Sequence, residues 1–388
     1  MSSKATDGMN PTPRNPFRPS FGVSPTVLAG RTPLLHAFTL ALAEGPGSPF
    51  RVLLLSGTRG IGKTVLLNEL EDAAHQQGWV TLRAYPGAGM VRTLVETTLP
   101  ELLDTLGEPT GKRMLTGGSI AGLGSVTTAA NPHHRTPEPT LITCLRQVAD
   151  LLTPRGTGIL ITLDELQSAD PGDLHELATA VQDLMRDNHD VALVAAGLPA
   201  GVEKLLQQEG TTFLRRAHRV DLTSVASAEA AELFTETASA GGRAMAPDAV
   251  AEAVNISQGY PYLMQVVGSL TWAQATLDQE DELSLKHVRS IRANAVQRIG
   301  LQIHGPSFHG VPDQQMNLLY AMAELSPSGE PVGTGDIARY LAVPPNALSM
   351  ARAALLERSL VTVPQYGHLQ FALPYAADHL LAHPHLRP

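Results

Sequence analysis

The sequence predicts an α/β chain: a parallel sheet covered by helices, followed by an all-α region and a C-terminal winged helix. Three observations predict it. Short apolar runs alternate with helical-period segments up to about residue 222, the pattern of parallel strands joined by crossover helices. Beyond 223 the strand signal stops and only helical periods remain. From 313 onward, three helical segments lead into two short alternating strands joined by a tight turn. A chain of 388 residues is too long for one ordinary core, so two or three domains are expected.

Residues 1–26 hold five prolines and little apolar content; the first dozen read as disordered, with Phe17 and Phe21 tacking the remainder onto the surface. A helix follows Pro33, with Leu34, Leu35, Phe38 and Leu42 on one face, and Gly45-Pro46-Gly47 ends it. The core unit is expected over 27–222. Its first strand is 51–56, followed by a helix that reaches Gly78 and buries Val65, Leu66, Leu67, Leu70 and Ala74. Strands are predicted at 79–85, 158–163, 191–196 and 217–222, and helices near 141–152 and after the Asp170-Pro171 cap, where Leu174, Leu177, Val181 and Leu184 keep the helical period. Residues 107–140, rich in Gly, Thr and Pro, read as a flexible excursion. An all-α lid is expected over 223–300, broken at Gly241-Gly242 and at Gly259-Tyr260-Pro261. The winged helix is expected over 313–388: helices 314–325, 335–341 and 345–358, then strands 360–363 and 368–372 around the turn Pro364-Gln365-Tyr366-Gly367.

Composition narrows the function. With 43% hydrophobic and 17% charged residues the chain is a soluble globular protein. A net charge of −9 opposes a general nucleic-acid surface. The single cysteine, Cys144, excludes an intramolecular disulfide framework and fits a reducing cytoplasm. No stretch approaches the ~18 consecutive apolar residues of a membrane helix, and the N-terminus lacks the pattern of a secretory signal.

The segment Gly57-Thr58-Arg59-Gly60-Ile61-Gly62-Lys63-Thr64 matches the phosphate-loop pattern G-x-x-x-x-G-K-[ST] at every required position, and Val65 follows it. It lies between a buried strand and a helix, where its mechanism needs it. Glycines let backbone N–H groups wrap a phosphate, and the helix start adds partial positive charge. Lys63 is placed to reach the β- and γ-phosphates, and Thr64 to bind Mg²⁺. A second acidic signal follows the strand 159–163: Asp164-Glu165. Such a strand end faces the ligand crevice of open α/β sheets. Asp164 is expected to hold Mg²⁺ and Glu165 to orient and deprotonate the attacking water. No Asn-Lys-x-Asp sequence occurs, so ATP is favoured over a guanine nucleotide.

These residues, with Leu28-Ala29-Gly30-Arg31 upstream and the helical region downstream, resemble AAA+ ATPases of the origin-recognition type and the related archaeal and STAND-type ATPases. Bacterial ATP-binding proteins with an AAA domain and a C-terminal winged helix are the nearest in texture. The resemblance covers about 27–380 and implies a P-loop NTPase core with ATP and Mg²⁺ as cofactors. It also implies that Gly30 and Arg31 lie beside the adenine, against the alternative of a helix-capping loop. Gly259-Tyr260-Pro261 looks like the lid signature of these groups, whose proline (here Pro261) approaches the nucleotide; the alternative is a Gly stop followed by a Pro start. Arg215 and Arg216 fall where relatives place an arginine finger for a neighbouring subunit, the alternative being a pair of surface arginines.

Two features temper the resemblance. The strand 191–197 ends without the polar residue such enzymes usually place there to position water, which points to slow, switch-like hydrolysis. The winged helix carries six acids (Asp313, Glu324, Glu330, Asp336, Glu357, Asp378) against four arginines (Arg339, Arg352, Arg358, Arg387) and no lysine. DNA contact is therefore weakly supported beside protein or intramolecular packing. The fourteen histidines, including adjacent His133-His134, show no metal-ligand spacing. The resulting expectation is an ATPase with an unidentified protein partner or self-association and no membrane. Its alternatives are an ATP-gated DNA-binding or loading factor and a nucleotide-binding scaffold without turnover.

Overall fold

The computed structural model describes residues 14–20, 22–107, 139–207 and 212–388. The first dozen residues, Phe21, positions 108–138 of the predicted excursion and His133-His134 lie outside the described residues. Helix α1 (Thr32–Glu44) stops at Gly45, whose φ of 90° only glycine adopts without strain. Strand β1 (Val52–Ser56) then runs into the loop that opens α2 (Lys63–Gln76). Strand β2 (Val80–Ala84) follows, leaving Tyr85 beyond its end and exposed. Residues 90–107 are helical although their periodicity predicts no element: α3 (Met90–Thr93), a π-turn (Leu94–Thr98) and α4 (Leu99–Gly107). β-Branched Val91, Thr93, Val95, Thr97 and Thr98 lower helix propensity there, and burial of Met90, Val91, Leu94 and Leu99 overrides it.

Next come α5 (Leu141–Leu152), β3 (Ile159–Leu163), α6 (Pro171–Arg186), β4 (Val191–Gly197), α7 (Pro199–Gln207) and β5 (His218–Asp221). Asp170 caps α6 by accepting from Gly172 and Asp173 N–H groups, as its sequence position predicts. The five strands form one parallel sheet in the order β2-β3-β4-β1-β5. Alternation sorts its side chains: Leu53 and Leu55 enter the core shared with α2, while Leu54 enters the core beneath α5 and α6. All three are fully buried, each contributing roughly 1.5–3 kcal/mol. On α2, Leu66, Leu67, Leu70 and Ala74 are buried as expected, but Val65 is half-buried because it faces a pocket rather than the core.

Four helices follow: α8 (Ser227–Ala240), α9 (Pro247–Ser257), α10 (Pro261–Leu277) and α11 (Leu285–Ile299). Their apolar faces join the first sheet core, with Leu233, Phe234, Leu263, Val267 and Trp272 buried. Phe17 does more than tack down the N-terminal segment. It is 3% exposed, packs on Phe234, and occupies the space a Cβ at Gly268 would need. Beyond α11 a π-turn (Gly300–His304) leads to α12 (Gly305–Phe308).

The last segment has its own core around Leu318, Leu319, Ile337, Leu355 and Leu369. Its elements are α13 (Asp313–Leu325), β6 (Val332–Gly333), α14 (Thr334–Tyr340), α15 (Ser349–Glu357), β7 (Val361–Thr362), β8 (His368–Phe371) and α16 (Ala376–Ala382). The predicted hairpin is present as antiparallel β7–β8, and β6 adds a third strand along β8. Helix α15 packs against α7 of the sheet unit. Among the described residues no helix is long and apolar enough to cross a membrane.

Candidate nucleotide site

The loop after β1 is anchored on both sides. Gly57 N–H donates to the Gly197 carbonyl at 3.3 Å, and Leu222 N–H to the Ser56 carbonyl at 2.7 Å. Gly60 and Gly62 have φ of 70° and 97°, so the chain turns where side chains would be strained. Gly62 immediately precedes α2, leaving the first amides of that helix free of intrahelical partners and available to an anion. Lys63 is 6% exposed, and its ammonium donates to the Gly57 and Thr58 carbonyls at 3.0 and 2.9 Å. Two of its three donors are thereby occupied, and one remains for a phosphate oxygen. Burial pulls Lys63 below the ordinary lysine range, the Glu165 and Asp164 carboxylates oppose that pull, and Arg59 adds to it.

The acidic pair meets the loop from β3. Thr64 Oγ1 donates to Asp164 Oδ2 at 2.6 Å, although the residues are 100 positions apart. The other Asp164 oxygen accepts from Glu165 N–H at 2.8 Å. Glu165 has a φ of 51°, a left-handed conformation that carries its carboxylate into the pocket wall. Threonine hydroxyl and aspartate carboxylate are hard oxygen donors, the set that suits Mg²⁺.

A cavity of about 320 Å³ opens here, its wall including Arg31, Arg59 to Val65, Glu165 and Pro261. Gly57 and Thr58 contribute carbonyls to Lys63 instead, and Asp164 joins through Thr64. The wall also carries apolar side chains, Val27, Leu28, Val225, Leu233 and Met264 among them. Arg31 donates to the Thr223 carbonyl at 2.9 Å; burial lowers its pKa and Glu229 opposes the shift. Gly30 has a φ of 69°, and a Cβ there would lie 2.7 Å from Glu229 Oε2. Arg215 and Arg216 are not brought to this pocket. They precede β5, whose start pairs with the N-terminal half of β1, at the opposite end of the strands from the loop. Both are exposed, and Arg215 Nε donates to the Leu206 carbonyl at 2.8 Å.

Three contributors escape a reading of motifs. Tyr260 OH donates to the Arg59 carbonyl, and Tyr262 N–H reaches the Gly60 carbonyl at 3.3 Å, so the helical region holds the loop backbone directly. A Cβ on Gly60 would lie 2.2 Å from that tyrosine oxygen. Gln167 bonds Glu165 and also accepts from Leu198 N–H at 3.0 Å. The N-terminal segment supplies Arg18 to the cavity wall, with Arg18 N–H on Gln265 Oε1 at 2.9 Å. Only the Gly259-Tyr260-Pro261 signature hints at any of these contacts.

Comparison with known proteins bears on the family and the fold. Residues 27–194 match the AAA ATPase domain family, and residues 301–380 match a domain of unknown function (DUF8462). The structure is similar to that of the Aeropyrum pernix ORC2 protein, described as ADPNP–ADP complexes, with a TM-score of 0.63 and 18% identity over 94% of this chain and 95% of that one. It is also similar to the Walker-type ATPase PABY2304 of Pyrococcus abyssi, with a TM-score of 0.62 and 14% identity over 91% of this chain and 96% of that one. No curated protein matches the sequence. At these identities the likeness to solved structures establishes the fold.

Proposed function

We propose, taking residues 27–194 as an AAA ATPase domain within a P-loop NTPase fold, that the chain binds ATP with Mg²⁺ and hydrolyses it slowly to drive a conformational switch. The observation that carries this reading is the convergence of Lys63, the Thr64–Asp164 pair and Glu165 on one cavity.

The loop amides and the start of α2 cradle the phosphates, and Lys63 turns its remaining donor to them. Thr64 and Asp164 would hold Mg²⁺, which when bound neutralises phosphate charge and fixes its oxygens. Glu165 accepts the proton of the attacking water, and Leu28, Val225 and Met264 receive the adenine. Arg31 and Pro261 belong to the same cavity wall, and Gly30 stands next to Arg31 in the chain without lining it.

The chain divides for this purpose into a core at 27–222, a lid at 223–300 and a winged helix at 313–388. The bonds of Tyr260 and Tyr262 to the loop carbonyls support a lid that feels the phosphate end. The order α13-β6-α14-α15-β7-β8 supports the winged-helix reading. Its charges favour packing over DNA. Arg339 and Arg387 are paired with Asp336 and Glu324, and Arg358 lines a cleft against α7. Arg215 or Arg216, exposed and remote from this chain's own loop, could serve only a neighbouring copy.

Titration with a fluorescent ATP analogue tests the assignment. Lys63→Ala should weaken binding by about tenfold to a hundredfold, the worth of a charge-assisted bond. Undiminished affinity in that variant would mean the mechanism is wrong.

A further inference from the structure

The fourth strand presents a problem for any hydrolysing site of this kind. β4 runs Val-Ala-Leu-Val-Ala-Ala-Gly, so no side chain at its end can hold water or orient a base. In the folded chain a polar group nevertheless occupies that place, supplied by another segment. A Cβ built on Gly197 would sit 3.1 Å from Gln167 Oε1 and 3.0 Å from Leu166 Cβ. Glycine at 197 is what lets the glutamine in.

The Gln167 amide is used at both ends. Its oxygen accepts from Leu198 N–H at 3.0 Å, directly after β4. That contact fixes which end of the amide is the donor, because a backbone N–H can only be met by the carbonyl oxygen. Its nitrogen is then left to donate to Glu165 Oε2, as it does. One carboxylate oxygen of Glu165 is thus tied to the β4–α7 junction through a single rigid amide, while Glu165 forms part of the cavity wall. The tie matters because Glu165 lies on an exposed turn with a φ of 51°, and the only side-chain bond to its carboxylate among those described is this one.

We infer that Gln167 is the positioning residue for Glu165 in ATP hydrolysis, replacing the polar side chain that β4 lacks. The inference rests on the hydrolysis reading above. Gln167 holds Oε2 so that Oε1 is presented to water, and it touches neither nucleotide nor water itself. Because α7 begins just beyond Leu198 and packs on α15, the alignment of Glu165 also depends on where the C-terminal segment seats against α7.

The test is steady-state phosphate release by the full chain, with kcat and KM separated, for wild type, Gln167→Ala, Gln167→Glu, Glu165→Gln and the double variant Gln167→Ala/Glu165→Gln. Gln167→Ala should lower kcat by about tenfold to a hundredfold with KM and ATP affinity unchanged, since alignment is lost and binding is not. Gln167→Glu keeps the shape and the acceptor for Leu198 but replaces the donor by a repelling carboxylate, so it should lose at least as much. In the Glu165→Gln background the Ala substitution should cost little more, because the group it positions is already gone. A Gln167→Ala chain that turns over at the wild-type rate, or losses that multiply in the double variant, overturns the assignment while leaving hydrolysis intact. Absence of turnover in the wild type overturns the hydrolysis reading and this assignment with it.

Discussion

Replacing Gly60 by alanine should disconnect the helical region from the phosphate loop, and the size of the effect can be worked from the contact itself. Gly60 has a φ of 70°, which costs an L-residue about 1–2 kcal/mol. The added Cβ would lie 2.2 Å from the Tyr260 oxygen and 2.9 Å from its Cζ, and Tyr260 is 2% exposed, so the ring has to shift as a body. That shift breaks its bond to the Arg59 carbonyl, worth about 1 kcal/mol net. The sum, about 2–3 kcal/mol, corresponds to roughly a 30- to 150-fold loss of nucleotide affinity if the closed contact is the binding-competent one. Tyr260→Phe isolates the hydroxyl and should cost about 1 kcal/mol, or some fivefold. Because both changes remove the same bond, the double variant should fall short of their sum by about 1 kcal/mol. Titration of all four chains with a fluorescent ATP analogue measures the cycle. Wild-type affinity in Gly60→Ala, or full additivity in the double variant, refutes the coupling of these helices to the loop.

Other consequences follow from the same structure. Thr64→Ala removes the hydroxyl bonded to Asp164 and should raise the Mg²⁺ concentration for half-maximal turnover about ten- to a hundredfold, read from a Mg²⁺ titration of phosphate release. Arg51, 1% exposed, binds the Ala41 and Leu42 carbonyls and Asp190 and stacks on Trp79; Arg51→Met should therefore cost about 3 kcal/mol in chemical denaturation, the Asp190 partner being partly solvated. His304, and His379 5.3 Å away, are both lowered from 6.5 to about 4, chiefly by burial and secondarily by the neighbouring imidazole of His379 and His383 respectively. An unfolded chain then binds protons that the folded one refuses. Stability should accordingly fall as pH drops from about 6.5 to about 4 and stay level above it, and His304→Leu should flatten that slope in thermal scans.

The sheet and the loop were legible because both are local patterns: apolar runs between helices, and glycines spaced to wrap a phosphate. Asp164-Glu165 could be placed for the same reason, at the end of an apolar strand. What could not be read was contact across sequence distance. Tyr260 bonds a carbonyl 201 residues away, and Gln167 fills a space created by glycine 30 residues on. The apolar end of β4 argued for a missing polar group, yet the fold supplies one from the turn after β3. Helices at 90–107 were hidden by β-branched residues, and α7 and α16 also went unread. Of the excursion expected over 107–140, positions 108–138 lie outside the described residues.

The central claim is that this pocket hydrolyses ATP through Glu165, and phosphate release under saturating ATP and Mg²⁺ tests it most directly. Wild type should give multiple turnovers at a slow rate, below about 1 s⁻¹, while Glu165→Gln should keep ATP bound and release phosphate at least a hundredfold more slowly, the usual worth of a general base. A wild type that binds ATP without releasing phosphate, or a Glu165→Gln chain as fast as wild type, would contradict the account.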